Sequence, residues 1–188
     1  VGISNSKKML FNNNGIVINN WQNELKKGEK SSEEKFFKRT NTLNLRNSIF
    51  IDNTASEIIA NTYKDYLRNS ISVVTCNKIA CSDNYLNYKN LNDLSKQYSS
   101  SFLFETNVGA GLPIIDTLNN LIASGDRIKS IQAVLSGSLN YIFNNFNKKN
   151  SFDNTVKSAM SEGYTEPDPK IDLSGIDVAR KILILARE

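Results

Sequence analysis

Ser48-Ile-Phe-Ile-Asp-Asn-Thr-Ala-Ser-Glu-Ile-Ile-Ala-Asn-Thr-Tyr-Lys-Asp-Tyr-Leu-Arg-Asn-Ser-Ile-Ser-Val-Val-Thr75 reads as strand, helix, strand. Ser48–Asp52 and Ile71–Thr75 are short apolar runs rich in β-branched and aromatic residues, as strands require. Between them, Ala55–Arg68 carries Ile58, Ile59, Tyr63, Tyr66 and Leu67 at helical spacing. Working outward, residues 1–4 read as a strand end, Leu86–Tyr98 as a helix and Phe102–Phe104 as a further strand. Strands alternating with helices of this length build βαβ units on a parallel sheet. Right-handed crossovers then place a ligand crevice at the carboxyl ends of the strands, where Thr54, Lys78 and Glu105 follow.

The pattern changes after Gly111. Pro113 suits the first turn of a helix bearing Ile114, Ile115, Leu118 and Leu121. Ile128–Leu135 alternates loosely, as a strand does; Leu139–Phe146 and Phe152–Met160 read as helices, and Gly163 as a stop. The expected architecture is α/β: an incomplete Rossmann-like parallel sheet, then the start of an α+β catalytic or dimerisation domain. Residues 1–105 form the first part, residues 106–188 the second. A whole dinucleotide-binding domain opens with a strand and a Gly-x-Gly-x-x-Gly loop that seats a pyrophosphate on a helix N-terminus. No such loop occurs here, and Gly109-Ala-Gly111 alone is a weak pointer. The sequence starts where a second strand belongs and stops within a helix, so it is expected to be an excised middle piece, without activity by itself.

With 188 residues there is material for a sizeable core. The net charge of +4 is dispersed, and Lys26-Lys-Gly-Glu-Lys30 is interleaved with Glu24, Glu33 and Glu34. That is a solvated helix face rather than a nucleic-acid groove. No apolar run has the length of a membrane span and no signal peptide opens the chain, so a cytoplasmic protein is expected. Cys76 and Cys81, with no histidine anywhere, complete no zinc set and read as reduced thiols. The lack of histidine leaves acid/base work to Lys, Tyr, Asp or Glu.

Gly163-Tyr-Thr-Glu-Pro-Asp-Pro-Lys-Ile-Asp-Leu-Ser-Gly-Ile-Asp-Val-Ala-Arg-Lys181 concentrates charge in a proline-broken loop that leads into a helix. Pro167 and Pro169 push Glu166 and Asp168 onto extended backbone. From Ser174, Ile176, Ala179, Ile182, Leu183 and Ile184 read as a mostly buried face, with Asp177 and Lys181 one turn apart on the same side. Two readings are open: a compact acid/base or binding site, or a Ser174–Asp177 capping box with an ordinary Asp177–Lys181 ion pair.

This stretch resembles the signature of the homoserine dehydrogenases, which interconvert aspartate semialdehyde and homoserine with NAD(P). Val73-Val-Thr-Cys-Asn-Lys-Ile-Ala80, Phe104-Glu-Thr-Asn-Val-Gly-Ala-Gly-Leu-Pro113 and Leu135-Ser-Gly-Ser-Leu-Asn-Tyr-Ile-Phe143 follow in the family's order. The motifs are most similar to the dehydrogenase half of bifunctional aspartokinase/homoserine dehydrogenase, and also to the fungal enzymes. The likeness covers nearly the whole chain and is weakest over residues 22–45.

The resemblance implies a role for each matching residue. Lys181 corresponds to the proton-transfer lysine, and Lys78 to a second lysine near substrate and nicotinamide. Glu166 and Asp177 correspond to ligands of the substrate's ammonium group, with Asp172 nearby. Thr54 and Lys78 match cofactor-contacting positions. The carbonyls of Glu105, Val108, Ala110 and Leu112 match a monovalent-cation loop, with sodium as the ion. A lysine shuttles a proton at neutral pH when apolar walls or a neighbouring cation lower its pKa.

Further expectations are a small-molecule substrate, a homo-oligomer, and a place in threonine and methionine biosynthesis. No acidic residue closes Ile3-Ser-Asn-Ser-Lys-Lys8, where NAD-preferring folds hold the ribose diol, so Lys7 or Lys8 facing a 2′-phosphate tilts the choice towards NADP. Cys76 stands where the family usually has proline, Ile171 where it often has aspartate, and Lys170 in place of a common arginine. The competing reading is a non-catalytic dimerising or regulatory fragment.

Overall fold

The computed structural model describes all residues, 1–188, and divides into two compact units. The first comprises Val1–Asp52, Ser56–Val74 and Lys89–Phe102; the second comprises Asn53–Ala55, Thr75–Tyr88 and Leu103–Glu188.

The first unit opens with an antiparallel sheet of β1 (Gly2–Ser4), β2 (Lys8–Phe11) and β3 (Glu29–Lys30), with Ile3 opposite Leu10 and Met9 opposite Glu29. Residues 1–4 are thus a hairpin strand, not a member of the parallel sheet. The Asn5 side chain explains it: Oδ1 accepts from the Lys7 and Lys8 amides at 2.9 and 2.8 Å, and the chain turns back at once. Helices α1 (Trp21–Lys26) and α2 (Glu33–Leu43) flank β3 in sequence. Ser32 caps α2 by accepting from Lys35 N at 3.3 Å, with Glu33 and Glu34 in its first turn, a favourable match to the helix dipole.

The parallel sheet has the order β4 (Ile49–Asp52), β5 (Ser72–Thr75), β6 (Phe102–Leu103). The helix expected after β4 is two short ones, α3 (Glu57–Ala60) and α4 (Tyr63–Arg68). At the break the Thr62 hydroxyl donates to the Ile59 carbonyl at 2.7 Å, competing with the helical ladder. Tyr63, Tyr66 and Leu67 are buried, but Ile58 is exposed. Tyr66 stacks on Phe50 with ring centroids 4.0 Å apart, Phe37 meets its edge, and the Tyr63 hydroxyl donates to the buried carboxylate of Asp52. These aromatic contacts fix the core of the first unit.

After β5 come α5 (Ile79–Ser82) and α6 (Tyr85–Gln97); after β6, α7 (Ile114–Ala123), α8 (Gly137–Asn145), α9 (Phe152–Ser161), α10 (Pro169–Leu173) and α11 (Ile176–Arg187). Ile142 of α8 packs with Val156 and Ala159 of α9, flanked by Tyr141. Gly163 ends α9 with φ of +76°, and the Tyr164 amide closes the turn on the Ala159 carbonyl at 2.9 Å.

Four expectations are corrected. Ile128–Leu135 forms no strand, because no neighbouring strand supplies hydrogen bonds to it. The segment after Pro169 is a helix, α10, not wholly loop: Asp168, extended at φ −104° and ψ 105°, caps it through Lys170 N at 3.0 Å. Ser174 is not the N-cap of α11; Gly175 is, at φ +70°. The buried side of α11 is Ile184 and Leu185, while Ile176, Ile182 and Leu183 are exposed. Apolar residues ring that helix so widely that periodicity alone does not choose its face.

Candidate active site

Lys78 is mounted by a pair of side-chain-braced turns. Thr75 Oγ1 accepts from Asn77 N at 2.8 Å, and Asn77 Oδ1 accepts from Ile79 N at 3.1 Å. The Lys78 carbonyl then accepts from Ser82 N and Ser82 Oγ at 2.9 and 2.7 Å, so the backbone of Lys78 is pinned at the start of α5. Asn107, wholly buried, points one end of its amide at the Cys76 and Thr75 carbonyls, 3.0 and 3.2 Å away; two acceptors there require that end to be the nitrogen, which then donates to both. That tie joins the segment after β6 to the segment carrying Lys78.

Helix α11 packs against α5 and brings the second lysine. Lys181 Nζ donates to Asp177 Oδ2 at 2.7 Å, and Lys78 Nζ lies 3.4 Å from Asp177 Oδ1. One carboxylate therefore bridges two ammonium groups, one from each helix. Lys181 Nζ also donates to the Leu135 carbonyl at 2.7 Å. The two lysine side chains are mostly buried, at 19% exposure for Lys181 and 27% for Lys78, whereas Asp177 is half exposed.

Asp177 stands in the first turn of α11, where a negative charge complements the helix dipole, and four residues before Lys181, the favourable order for such a pair. Burial raises its pKa, but the Lys181 hydrogen bond and the charges of Lys78 and Lys181 outweigh it and hold the carboxyl below its ordinary value. The group is thus a carboxylate at neutral pH, facing two cations that leave the cluster with a net positive charge. At the far end of α11, Arg187 donates to the carbonyls of Cys81 and Asp83, both at 2.5 Å, with its guanidinium 5.2 Å from the centre of the Tyr88 ring. These bonds clamp α11 to the segment carrying Lys78.

A second carboxylate cluster lies on the proline-rich loop. Asp172 Oδ1 accepts from the Ser138 hydroxyl at 2.7 Å, and Oδ2 accepts from the Glu166 amide at 2.9 Å. The Glu166 side chain is exposed and makes no ion pair. Of the expected site residues, the structure brings Lys78, Asp177 and Lys181 into direct contact. Asp172 meets the backbone of Glu166 instead. Thr54 is exposed in the turn after β4. Lys7 is exposed, while the ammonium of Lys8 is taken up by the Gly28 carbonyl at 2.8 Å.

In the Glu105–Leu112 loop, Gly109 and Ala110 both have positive φ, +83° and +53°. A Cβ at Gly109 would come within 2.6 Å of Ile114, so the turn requires glycine. The carbonyls of Glu105 and Leu112 each accept one backbone hydrogen bond, from Val108 and Ile114. The Glu105 carboxylate caps α7 by accepting from Ile115 N and Asp116 N at 2.9 and 2.8 Å. That cap, the Leu135 carbonyl and the clamp by Arg187 are not readable in sequence. Ser138 lay within a quoted motif, yet its serine spacing signals only a helix start.

Two family models match the chain: "Homoserine dehydrogenase, NAD binding domain" over residues 4–105 and "Homoserine dehydrogenase" over residues 113–188. Bifunctional aspartokinase/homoserine dehydrogenase 2, chloroplastic, of Arabidopsis thaliana is 45% identical over 190 residues, spanning 100% of this chain and 21% of that protein. Homoserine dehydrogenase of Schizosaccharomyces pombe is 49% identical over 145 residues, which is 74% of this chain and 39% of that protein. The chain thus spans about a fifth of the bifunctional relatives. Among solved structures, a Candida auris protein of unknown function has a TM-score of 0.88 at 33% identity, over 97% of this chain and 52% of its own. A hyperthermophilic archaeal homoserine dehydrogenase in complex with NADPH has a TM-score of 0.71 at 33% identity, over 84% of this chain and 47% of its own. With these two models together matching nearly the whole chain, the chain belongs to the homoserine dehydrogenase family.

Proposed function

We propose that this chain carries the substrate-proton machinery of an NAD(P)-dependent homoserine dehydrogenase, an oxidoreductase acting on homoserine and aspartate semialdehyde. The observation that carries the reading is the Asp177 carboxylate shared between Lys78 and Lys181. Oxidation of the alcohol removes a hydride from carbon and a proton from oxygen, and the aldehyde remains. The nicotinamide, when bound, supplies the hydride acceptor. Lys181, with its nitrogen aimed by Asp177 and the Leu135 carbonyl, exchanges the hydroxyl proton: in aldehyde reduction its ammonium donates to the developing alkoxide, and in oxidation it first yields a proton to solvent and then, as the free amine, takes the hydroxyl proton. Lys78 places positive charge where the alkoxide develops. Asp177 and Glu166 offer carboxylates to the substrate ammonium, and Asp172 supports Glu166 from behind.

The chain's residues suit a dinucleotide. Thr54 and Lys78 follow the carboxyl ends of β4 and β5, with a hydroxyl and a partly buried ammonium suited to ribose or phosphate oxygens. NADP remains the proposed cofactor, but Lys7 and Lys8 lend that choice no support: residues 1–4 lie in the antiparallel hairpin, and Lys8 is bonded to the Gly28 carbonyl. The proposal includes a cytoplasmic homo-oligomer serving threonine and methionine synthesis; no helix is long and apolar enough to cross a membrane. Sedimentation of the full-length polypeptide reads the oligomer.

The Glu105–Leu112 turn is proposed to hold sodium through the carbonyls of Glu105, Val108, Ala110 and Leu112. Support comes from the consecutive positive-φ residues Gly109 and Ala110, which can turn successive carbonyls towards one hard cation. No cluster of three or more acidic, cysteine or histidine side chains offers a metal site elsewhere. Replacing sodium by a bulky organic cation is expected to lower homoserine oxidation; an unchanged rate removes the ion from the reading.

The function is tested by assaying the full-length polypeptide for homoserine oxidation with NADP and with NAD. Nicotinamide reduction that depends on homoserine is expected, faster with NADP. No reduction with either cofactor would overturn the proposal in favour of a non-catalytic module.

A further inference from the structure

We infer that Ser138 is a positioning residue for the substrate-binding loop, acting through Asp172 on Glu166; this rests on the homoserine reading of that loop. Ser138 is only 6% exposed, in the first turn of α8. Its hydroxyl donates to Asp172 Oδ1 at 2.7 Å, and its oxygen lies 3.0 Å from that of Ser136. Ser136 is held in turn as the cap of α8, accepting from Leu139 N at 3.1 Å. The other oxygen of Asp172 accepts the Glu166 amide at 2.9 Å.

Both Asp172 oxygens are therefore committed to internal donors, one from α8 and one from the loop. That makes Asp172 a tether for the loop. The loop needs such a tether: Glu166 precedes Pro167 and is barred from helix, and its amide has no helical partner. Further along α8, Tyr141 stacks on Tyr164 at 4.3 Å between centroids, and its hydroxyl donates to Glu162 at 2.6 Å. Ser138 and Tyr141 are three residues apart and share a face of α8. Helix α8 thus holds this stretch at two points, Glu162 and Tyr164 through Tyr141, and Asp172 through Ser138.

The test is Ser138→Ala and Ser138→Thr in the full-length polypeptide, read by steady-state kinetics and by hydrogen exchange. Loss of a hydrogen bond to a charged group, passed on in part, raises the KM for homoserine roughly 5–30-fold in Ser138→Ala, with kcat reduced less than about threefold. The KM for the nicotinamide cofactor stays within about twofold of wild type, and exchange at the Glu166 amide accelerates. Ser138→Thr, which keeps the hydroxyl, restores both values. The inference is overturned by an unchanged Glu166 exchange rate in Ser138→Ala, by an unchanged homoserine KM, or by a threonine variant as impaired as alanine. Should wild type oxidise no homoserine, the functional reading falls separately, and exchange at Glu166 still decides the tether.

Discussion

Lys181→Ala in the full-length polypeptide lowers kcat for homoserine oxidation by roughly 10²–10⁴-fold, the usual contribution of a positioned acid/base group. The expectation follows from how the ammonium is held. Two acceptors, Asp177 Oδ2 and the Leu135 carbonyl, each at 2.7 Å, fix its position, and the side chain is largely withdrawn from water. A lysine serving only to stabilise α11 has no need of a second, backbone acceptor from a distant segment. The fold should survive the change, because α11 is anchored by buried Ile184 and Leu185 and by the bonds of Arg187 to Cys81 and Asp83. Circular dichroism and thermal unfolding provide the control. A Lys181→Ala enzyme with near-wild-type kcat would reduce the Asp177–Lys181 contact to an ordinary helix ion pair, worth about 0.3–0.5 kcal/mol.

Asp177→Asn has the second-largest expected effect, a fall of roughly 10²-fold in kcat/KM for homoserine. The substitution keeps the shape and removes the charge that orients two lysines at once. Hydrogen bonds to charged groups contribute about 1.5–3 kcal/mol each. The half-exposed position of Asp177 screens part of that, which keeps the loss near a single full contact. The homoserine KM is expected to move more than the cofactor's KM, since the carboxylate is proposed to receive the substrate ammonium as well.

The same residue sets a pH dependence. Its folded pKa is depressed, so its contribution to stability is complete above the unfolded value of about 3.9 and disappears as pH falls through the folded one. Asp177→Asn therefore removes part of the acid-induced loss of stability below about pH 4 and leaves the slope between about pH 6 and 8 unchanged. Urea unfolding across that range measures both. An acid limb identical in the two proteins would contradict the depressed pKa.

The parallel core was legible where helical spacing marks it, at Tyr63, Tyr66 and Leu67, but not at Ile58, which is exposed, nor in β4, where Ile49 and Ile51 are exposed and Asp52 is buried. The Asp177–Lys181 pair was legible too, since i,i+4 spacing on a helix forces proximity. Lys78 was tied to them only by resemblance. Nothing in local sequence reports that α5 and α11 pack together, and tertiary contacts of this kind carry no spacing rule. The Leu135 carbonyl was invisible for a different reason: any residue supplies a carbonyl, so its use leaves no mark on composition.

The β1–β2 hairpin was missed because its turn uses neither glycine nor proline; the Asn5 side chain does the work of closing it. Ile128–Leu135 shows the reverse error. Its alternation is that of a strand, yet alternation describes which faces a segment could present and not whether a partner is at hand. Asp172 was placed by resemblance alone; its bonds to the Ser138 hydroxyl and the Glu166 amide leave no mark in the sequence.

The most direct measurement is a crystal structure of the full-length polypeptide with homoserine and a nicotinamide cofactor bound. The homoserine hydroxyl is expected within about 3 Å of Lys181 Nζ, hydrogen-bond range for a proton relay. Its ammonium should lie on the carboxylates of Glu166 and Asp177, with the Asp172–Ser138 contact intact. A hydroxyl placed out of reach of both Lys181 and Lys78 would contradict the assignment of proton transfer to this pair.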